Sequence, residues 1–358
     1  MQVLASCMVL SCMLISFRAW VLPGFLGRTV PTLPIMNGIP VGVQIGLSFL
    51  LLVVLLSDLI WTWNGKTTLE GYSKTVALLL ILVLVTQDLI RIQPWLFMGA
   101  LIWLCRLLNK ETAAQGQALR MILSSMYLWA GVHKMHQYFI HLVVYPIVQT
   151  YHLPAFFSFM GYLISLTDVT IALLLMFRKT RNIGGFMAIL MHAFILLHYG
   201  LVMRYNLVIV PWNLACMGMV WLSCHIPEGR SGSMGHWNLS HGLLLIIAGI
   251  LPLFQRVGYP AYLSWSLYAD RAIPVILIAN KDVPPMLTSS ILKTEQGESI
   301  LNLNHWLMSN LGVPVSPEDG LFIDCLGQSL GRFVPIVRPK REMEEKYPEY
   351  RFIWKSGP

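Results

Sequence analysis

Apolar runs, most of them approaching twenty residues, alternate with short polar connections along the first two thirds of the chain. They lie at approximately 3–22, 41–63, 75–91, 94–108, 118–139, 155–177, 183–203, 206–224 and 240–257. A helix needs about 20 such residues to cross roughly 30 Å of hydrocarbon, and glycine or proline is better tolerated there than in soluble helices. The pattern predicts an all-α polytopic membrane bundle of about eight or nine transmembrane helices over residues 1–258. The first window reads as a retained span and not a signal peptide, because Arg18 comes late and no positive segment precedes the apolar core. The third and fourth windows crowd around Arg91 and Pro94, as the two limbs of a re-entrant hairpin would.

After residue 258 the pattern changes to charges, prolines and short alternating stretches, which predicts a small α/β extramembrane module over 259–358. Pro274 to Asn280 reads as a buried strand. Ser299 to Leu311 and Asp319 to Phe333 carry helical spacing, and Arg338 to Pro358 is a charged terminal stretch.

Composition narrows the class further. With 56% hydrophobic residues, 12% charged and a mean hydropathy of +0.64, a soluble globule would lack polar surface. The net charge of +8 resides in the membrane part, since acidic and basic residues nearly balance after residue 258. Membrane lipids with anionic head groups are a sufficient partner for it, and nucleic acid is not implied. Lys66 with Lys74, Arg106 with Lys110 and Arg120, and Arg178 with Arg181 fall on connections that alternating spans place on one side. By the positive-inside rule that side is cytoplasmic, along with the N-terminus, and the C-terminal module is non-cytoplasmic. The six cysteines show no CxxC spacing and read as packing residues.

The polar residues inside the windows carry the candidate chemistry, because ionisable groups at membrane depth are costly and tend to be functional. Lys134 closes the apolar stretch that begins near Ala118. It reads either as a general base kept uncharged by apolar surroundings or as an amine snorkelling to the head groups. His133, His136 and Gln137 share a side of that helix, with Lys134 about 100° away from His133. His192 lies mid-window and is either a satisfied structural histidine or a group facing a cavity, with His198 and Tyr199 following it. Asp168 must be neutralised, paired or hydrated, and Lys134 and His192 are its candidate partners. Asp58, Asp88 and Gln87 lie nearer window ends, where they are expected to face the interface. Tyr127, Trp129, Phe156, Phe157, Phe159, Tyr162, Phe194, Tyr205 and Trp212 read either as lining for a flat lipid-soluble ring or as belt and core residues. The histidines lack further ligands at metal spacing, so no metal is expected.

The run Tyr127-Leu-Trp-Ala130-Gly131-Val-His-Lys134 resembles the Tyr-x-x-Ala-Gly-x-x-Lys signature of the HTTM (horizontally transferred transmembrane) family, which includes vitamin K-dependent gamma-carboxylase. The likeness continues through a loop, Ser165 to Leu175, Arg178 to Gly184 and the helix bearing His192, covering roughly residues 75–225. It implies that Lys134 is a general base acting on a quinone- or hydroquinone-type molecule and that His192 supports it. Asp168, His133, His136, Tyr127 and His198 are the candidate supporting residues beside them. The tail lacks the β-rich pattern of the carboxylase's large extramembrane domain and resembles that of shorter HTTM or DoxX-like proteins, Leu263 to Tyr268 included. Two functional classes stand at this point. One is a membrane enzyme acting on a lipid-soluble substrate; the other is a non-catalytic assembly, immunity or transport component.

Overall fold

The computed structural model describes residues 1–21, 39–202, 206–227, 239–257 and 260–266, and nearer the C-terminus 275–278, 291–293, 299–302, 308 and 310–313. Each apolar window coincides with helix. The elements are α1 (Gln2–Ile15), α2 (Val41–Trp63), α3 (Thr67–Gln87), α4 (Pro94–Leu108), α5 (Thr112–Lys134), α6 (Gln137–Phe139), α7 (Tyr145–Thr150), α8 (Met160–Met176), α9 (Arg181–Ile195), α10 (Ile209–His225) and α11 (Leu239–Leu244). A 3-10 turn, Ala155–Phe159, leads into α8, and the π-helical stretch Leu196–Val202 prolongs α9. Likewise Leu245–Ile250 and Leu251–Val257 prolong α11.

Four of these, Gly42–Trp63, Thr67–Gln87, Ala155–Met176 and Arg181–Val202, are long and apolar enough to cross a membrane. Gln2–Ile15, Pro94–Leu108 and Leu239–Gln255 are apolar but shorter. α5 has the length, yet its first turns, Thr-Ala-Ala-Gln-Gly-Gln, dilute its apolar character. The outside of the bundle supports the same class. Leu50, Val53, Leu56 and Ile60 of α2 project outward, as do Leu79 and Leu82 of α3 and Phe186, Leu190 and Phe194 of α9. Such extended apolar faces would be a liability in water and suit an integral membrane protein.

Lipid tails give helices no hydrophobic reason to associate, so close packing through small residues takes over. A Cβ on Gly131 would lie 2.6 Å from the carbonyl oxygen of Ser165 and 3.0 Å from the Asp168 Cβ, so α5 and α8 touch there. Gly161 seats Ile140 and Val144, and Gly185 seats Cys224 of α10 in the same way.

One end of the bundle carries a buried charged cluster. Lys74 Nζ bonds Asp58 Oδ1 at 2.7 Å and Thr62 Oγ1 at 3.0 Å and lies 3.2 Å from Glu70 Oε1. Arg106 donates through Nε and a second guanidinium nitrogen to both Glu70 oxygens. Ser6 and Ser73 donate to Asp58, and Trp103 Nε1 reaches Ser6. Two carboxylates and two cations are thus tied across α1 to α4, where breaking one partner costs far more than the intact set contributes. Asp58 therefore does not face the interface as its position in the window suggested: α1 and α3 cover it completely. Asp88 and Gln87 are buried too, Asp88 accepting from the Ile90 amide in the turn between α3 and α4. In that turn Arg91 Nε donates to the Ala19 carbonyl and a guanidinium nitrogen to the Leu84 carbonyl. Links from Asn109 to Ser240 and from Arg120 to the Ser223 carbonyl gather the basic connections at the end held by the charged cluster.

Two stretches depart from the sequence expectation. The loop expected after Lys134 is mostly helical: α6, a π-helical stretch Ile140–Val144 and α7 run on from His136. Past the bundle, β1 (Val275–Ile278), β2 (Ile291–Lys293) and β3 (Ser299–Asn302) form an antiparallel sheet in the order β1-β3-β2, with Leu277 opposite Ile300 and Leu292 also opposite Ile300. β1 falls within the expected strand. Ser299–Asn302, however, is strand and not the start of a helix, because an adjacent apolar pair fits either period when the run is short. Asp319 to Phe333 and Arg338 to Pro358 lie outside the described residues. Leu311 and Val313 join the core of the bundle beside the end of α1, with Gly312 in the left-handed region (φ +71°) close to the Ile15 carbonyl.

Candidate functional site

The signature run on α5 places Tyr127, Ala130, Gly131 and Lys134 at spacings of three, four and seven residues, which is one face of a helix. That face meets α8. Because Gly131 lets the two backbones approach, Lys134 at the last turn of α5 reaches Asp168 in the middle of α8, Nζ to Oδ2, at 2.8 Å. Asp168 is 1% exposed and the lysine side chain 12%. The helix stops at Lys134, and His136 caps the next one by accepting the Phe139 amide at Nδ1, 3.2 Å away. Phe139 then lies under the ammonium, 5.8 Å from ring centre to Nζ.

Two turns deeper in α5, Tyr127 meets His192 of α9, hydroxyl to Nε2, at 2.6 Å. The other ring nitrogen, Nδ1, is 2.6 Å from Asn213 Oδ1 on α10. Asn213 spends its amide N–H on the Ile209 carbonyl at 2.8 Å, so the oxygen faces the imidazole and can only accept. The network therefore assigns one neutral tautomer, Nδ1–H donating to Asn213 and Nε2 accepting from Tyr127. Tyr127, His192 and Asn213 are all buried.

Both polar groups open on one cleft of about 430 Å³, counting the space at its mouth. Its walls are Met126, Ala130, Met191, Ile195 and Trp212, with Tyr127, Lys134, Asp168, His192 and Asn213 as the polar positions. An apolar enclosure with a few placed polar groups is what binding pockets share.

Four of the sequence-derived residues, Lys134, His192, Asp168 and Tyr127, come together here. Three do not line this cleft. His133 stacks on Trp129 with centroids 5.5 Å apart, His136 is the helix cap, and His198 pairs with Tyr151 (Nδ1 to hydroxyl, 3.1 Å) and stacks on Phe194. Among the aromatic candidates, Trp212 joins Tyr127 in the wall. Phe156, Phe159, Tyr162 and Phe194 point outward, and Trp129 donates to the Gly249 carbonyl. Tyr205 lies outside the described residues. Sequence reasoning missed Asn213, although a single amide in the middle of the 206–224 window was a signal of the same kind as His192.

Comparison with known proteins adds nothing to this picture: no family model matches the chain, and neither a curated protein nor a solved structure does.

Proposed function

We propose that the chain is an integral membrane protein of the HTTM type that admits a lipid-soluble molecule to this cleft and takes a proton from it. The observation that carries the reading is the opening of two polar groups, the Lys134–Asp168 pair and the Tyr127–His192–Asn213 chain, on one apolar-walled cleft. A proton shift within the pair relates two forms, ammonium with carboxylate and amine with carboxylic acid. The second gives Lys134 the lone pair that a general base needs; taking up the substrate's proton leaves an ammonium beside a carboxylic acid, and that ammonium faces the oxyanion left on the substrate. His192, fixed from both sides, orients the Tyr127 hydroxyl at the opposite wall. A quinone or hydroquinone is the molecule that the sequence resemblance implies. The positive-inside rule, applied to the basic connections, supports a cytoplasmic N-terminus with the residues after 258 on the other side.

Lys134→Arg tests this directly, since arginine preserves an ion pair with Asp168 but is never deprotonated. Lipid-extractable metabolites of membranes carrying the wild type or the variant are compared by mass spectrometry. The expected result is loss of a product at unchanged protein level, and identical profiles would rule the enzyme out. The second reading, a non-catalytic membrane component, draws on the charged cluster around Asp58, in which buried ions pair with one another within packed helices. Identical profiles would favour it.

A further inference from the structure

Two buried polar atoms on residues that line the cleft have no hydrogen-bond partner among the described residues, and they are complementary. Asp168 gives Oδ2 to Lys134 and leaves Oδ1 without a donor, and Trp212 leaves its Nε1–H without an acceptor. Both residues are more than nine-tenths buried and both line the same space. A buried polar atom left unsatisfied costs free energy, so native proteins pair nearly all of them. A carboxylate oxygen asks for an O–H or N–H donor, and an indole N–H asks for an oxygen. The charges of Lys134 and Asp168 cancel, so a ligand ion would enter an apolar site with no counter-charge to meet it.

We propose that Asp168 Oδ1 and Trp212 Nε1 are the two points that hold the polar end of the ligand, and that this end is an uncharged hydroxyl. Its hydrogen is donated to Asp168 and its oxygen accepts from Trp212, while the apolar remainder lies against Met126, Met191 and Ile195. This rests on the cleft being a site for a lipid-soluble molecule, and it adds the class: a neutral alcohol or phenol, selected over the corresponding ether or carbonyl compound, which offers no donor to Asp168. Asp168 is then the group that positions the hydroxyl, and Lys134, bonded to the other carboxylate oxygen, is the base beside it.

The test uses the full chain in lipid nanodiscs with tritiated farnesol as the probe and farnesyl methyl ether and farnesal as competitors. Farnesol is expected to bind saturably, and the ether and aldehyde to compete at least tenfold more weakly. Trp212→Phe keeps the ring and removes one donor, so farnesol binding is expected to weaken about 3- to 10-fold, the effect of one neutral hydrogen bond. Asp168→Asn retains an acceptor for Lys134 and turns an N–H₂ toward the cleft, so preference is expected to reverse in favour of farnesal. Equal competition by the ether, or unchanged farnesol binding by Trp212→Phe, overturns the assignment while leaving a lipid-soluble ligand in place. Saturable binding of none of the three probes overturns the assignment and the functional reading together, and leaves water as the partner of both atoms.

Discussion

At the scale of single residues, the Lys134–Asp168 bond makes each side chain depend on the other. Lys134→Ala strands a carboxylate that is 1% exposed, and the loss of one partner of a buried pair costs about 3–5 kcal/mol. Lys134→Ala with Asp168→Ala together should restore much of that, and thermal unfolding in detergent of the two single variants and the double variant measures the difference. A double variant no more stable than Lys134→Ala would show that the pair is not coupled. Asn213→Leu removes the acceptor of His192 Nδ1–H and is expected to lower stability by about 1–3 kcal/mol, read from the same unfolding curves. Much of this was legible in the sequence. Charged and imidazole groups are conspicuous in apolar windows, and Asp168 had Lys134 as a candidate partner from the start. Asn213 was not conspicuous, and neither was the burial of Asp58, because nothing in a window shows which neighbouring helix will cover its ends.

At the scale of elements, Gly131 sets the approach of α5 to α8. Gly131→Val puts branched carbons against the Ser165 carbonyl and the Val169 side chain. A cost of about 1–3 kcal/mol is expected from overpacking. The same change should push Lys134 away from Asp168, so a Lys134→Ala substitution added to it should cost less than in the wild type. His136→Ala removes the cap of α6 and should cost about 1 kcal/mol, visible as faster amide exchange at Phe139. The helical windows were legible because apolar length is a strong signal. The helical stretch from Gln137 to Thr150 was not, because His136, His141 and Pro146 interrupt its apolar run in the manner of a connection. Register within α5 was legible at one position only, the Ala130-Gly131 pair, whose size foretells contact but not the helix contacted.

At the scale of the whole molecule, an apolar exterior encloses buried polar groups among the described residues, including the charged cluster around Asp58 and Lys74 and the cleft beside Lys134. Such a chain should remain in the pellet when membranes are washed with alkaline carbonate, and its release into the wash would contradict the integral placement. α1 belongs to every layer of this arrangement. It packs through Val9 on Gly99 of α4 and through Leu4 on Gly218 of α10, gives Ser6 to Asp58, and has Gly312 against its final carbonyl. Of all the elements, it is synthesised before any of the surfaces that cover it, the last of them nearly 300 residues later by the numbering of its own end and of Gly312. In the nascent chain Ser6 of α1 therefore waits in the bilayer until Asp58 of α2 is made, and Leu4 waits for the gap at Gly218 of α10 until more than half of the chain is synthesised, a period in which insertion factors or chaperones would find that face uncovered.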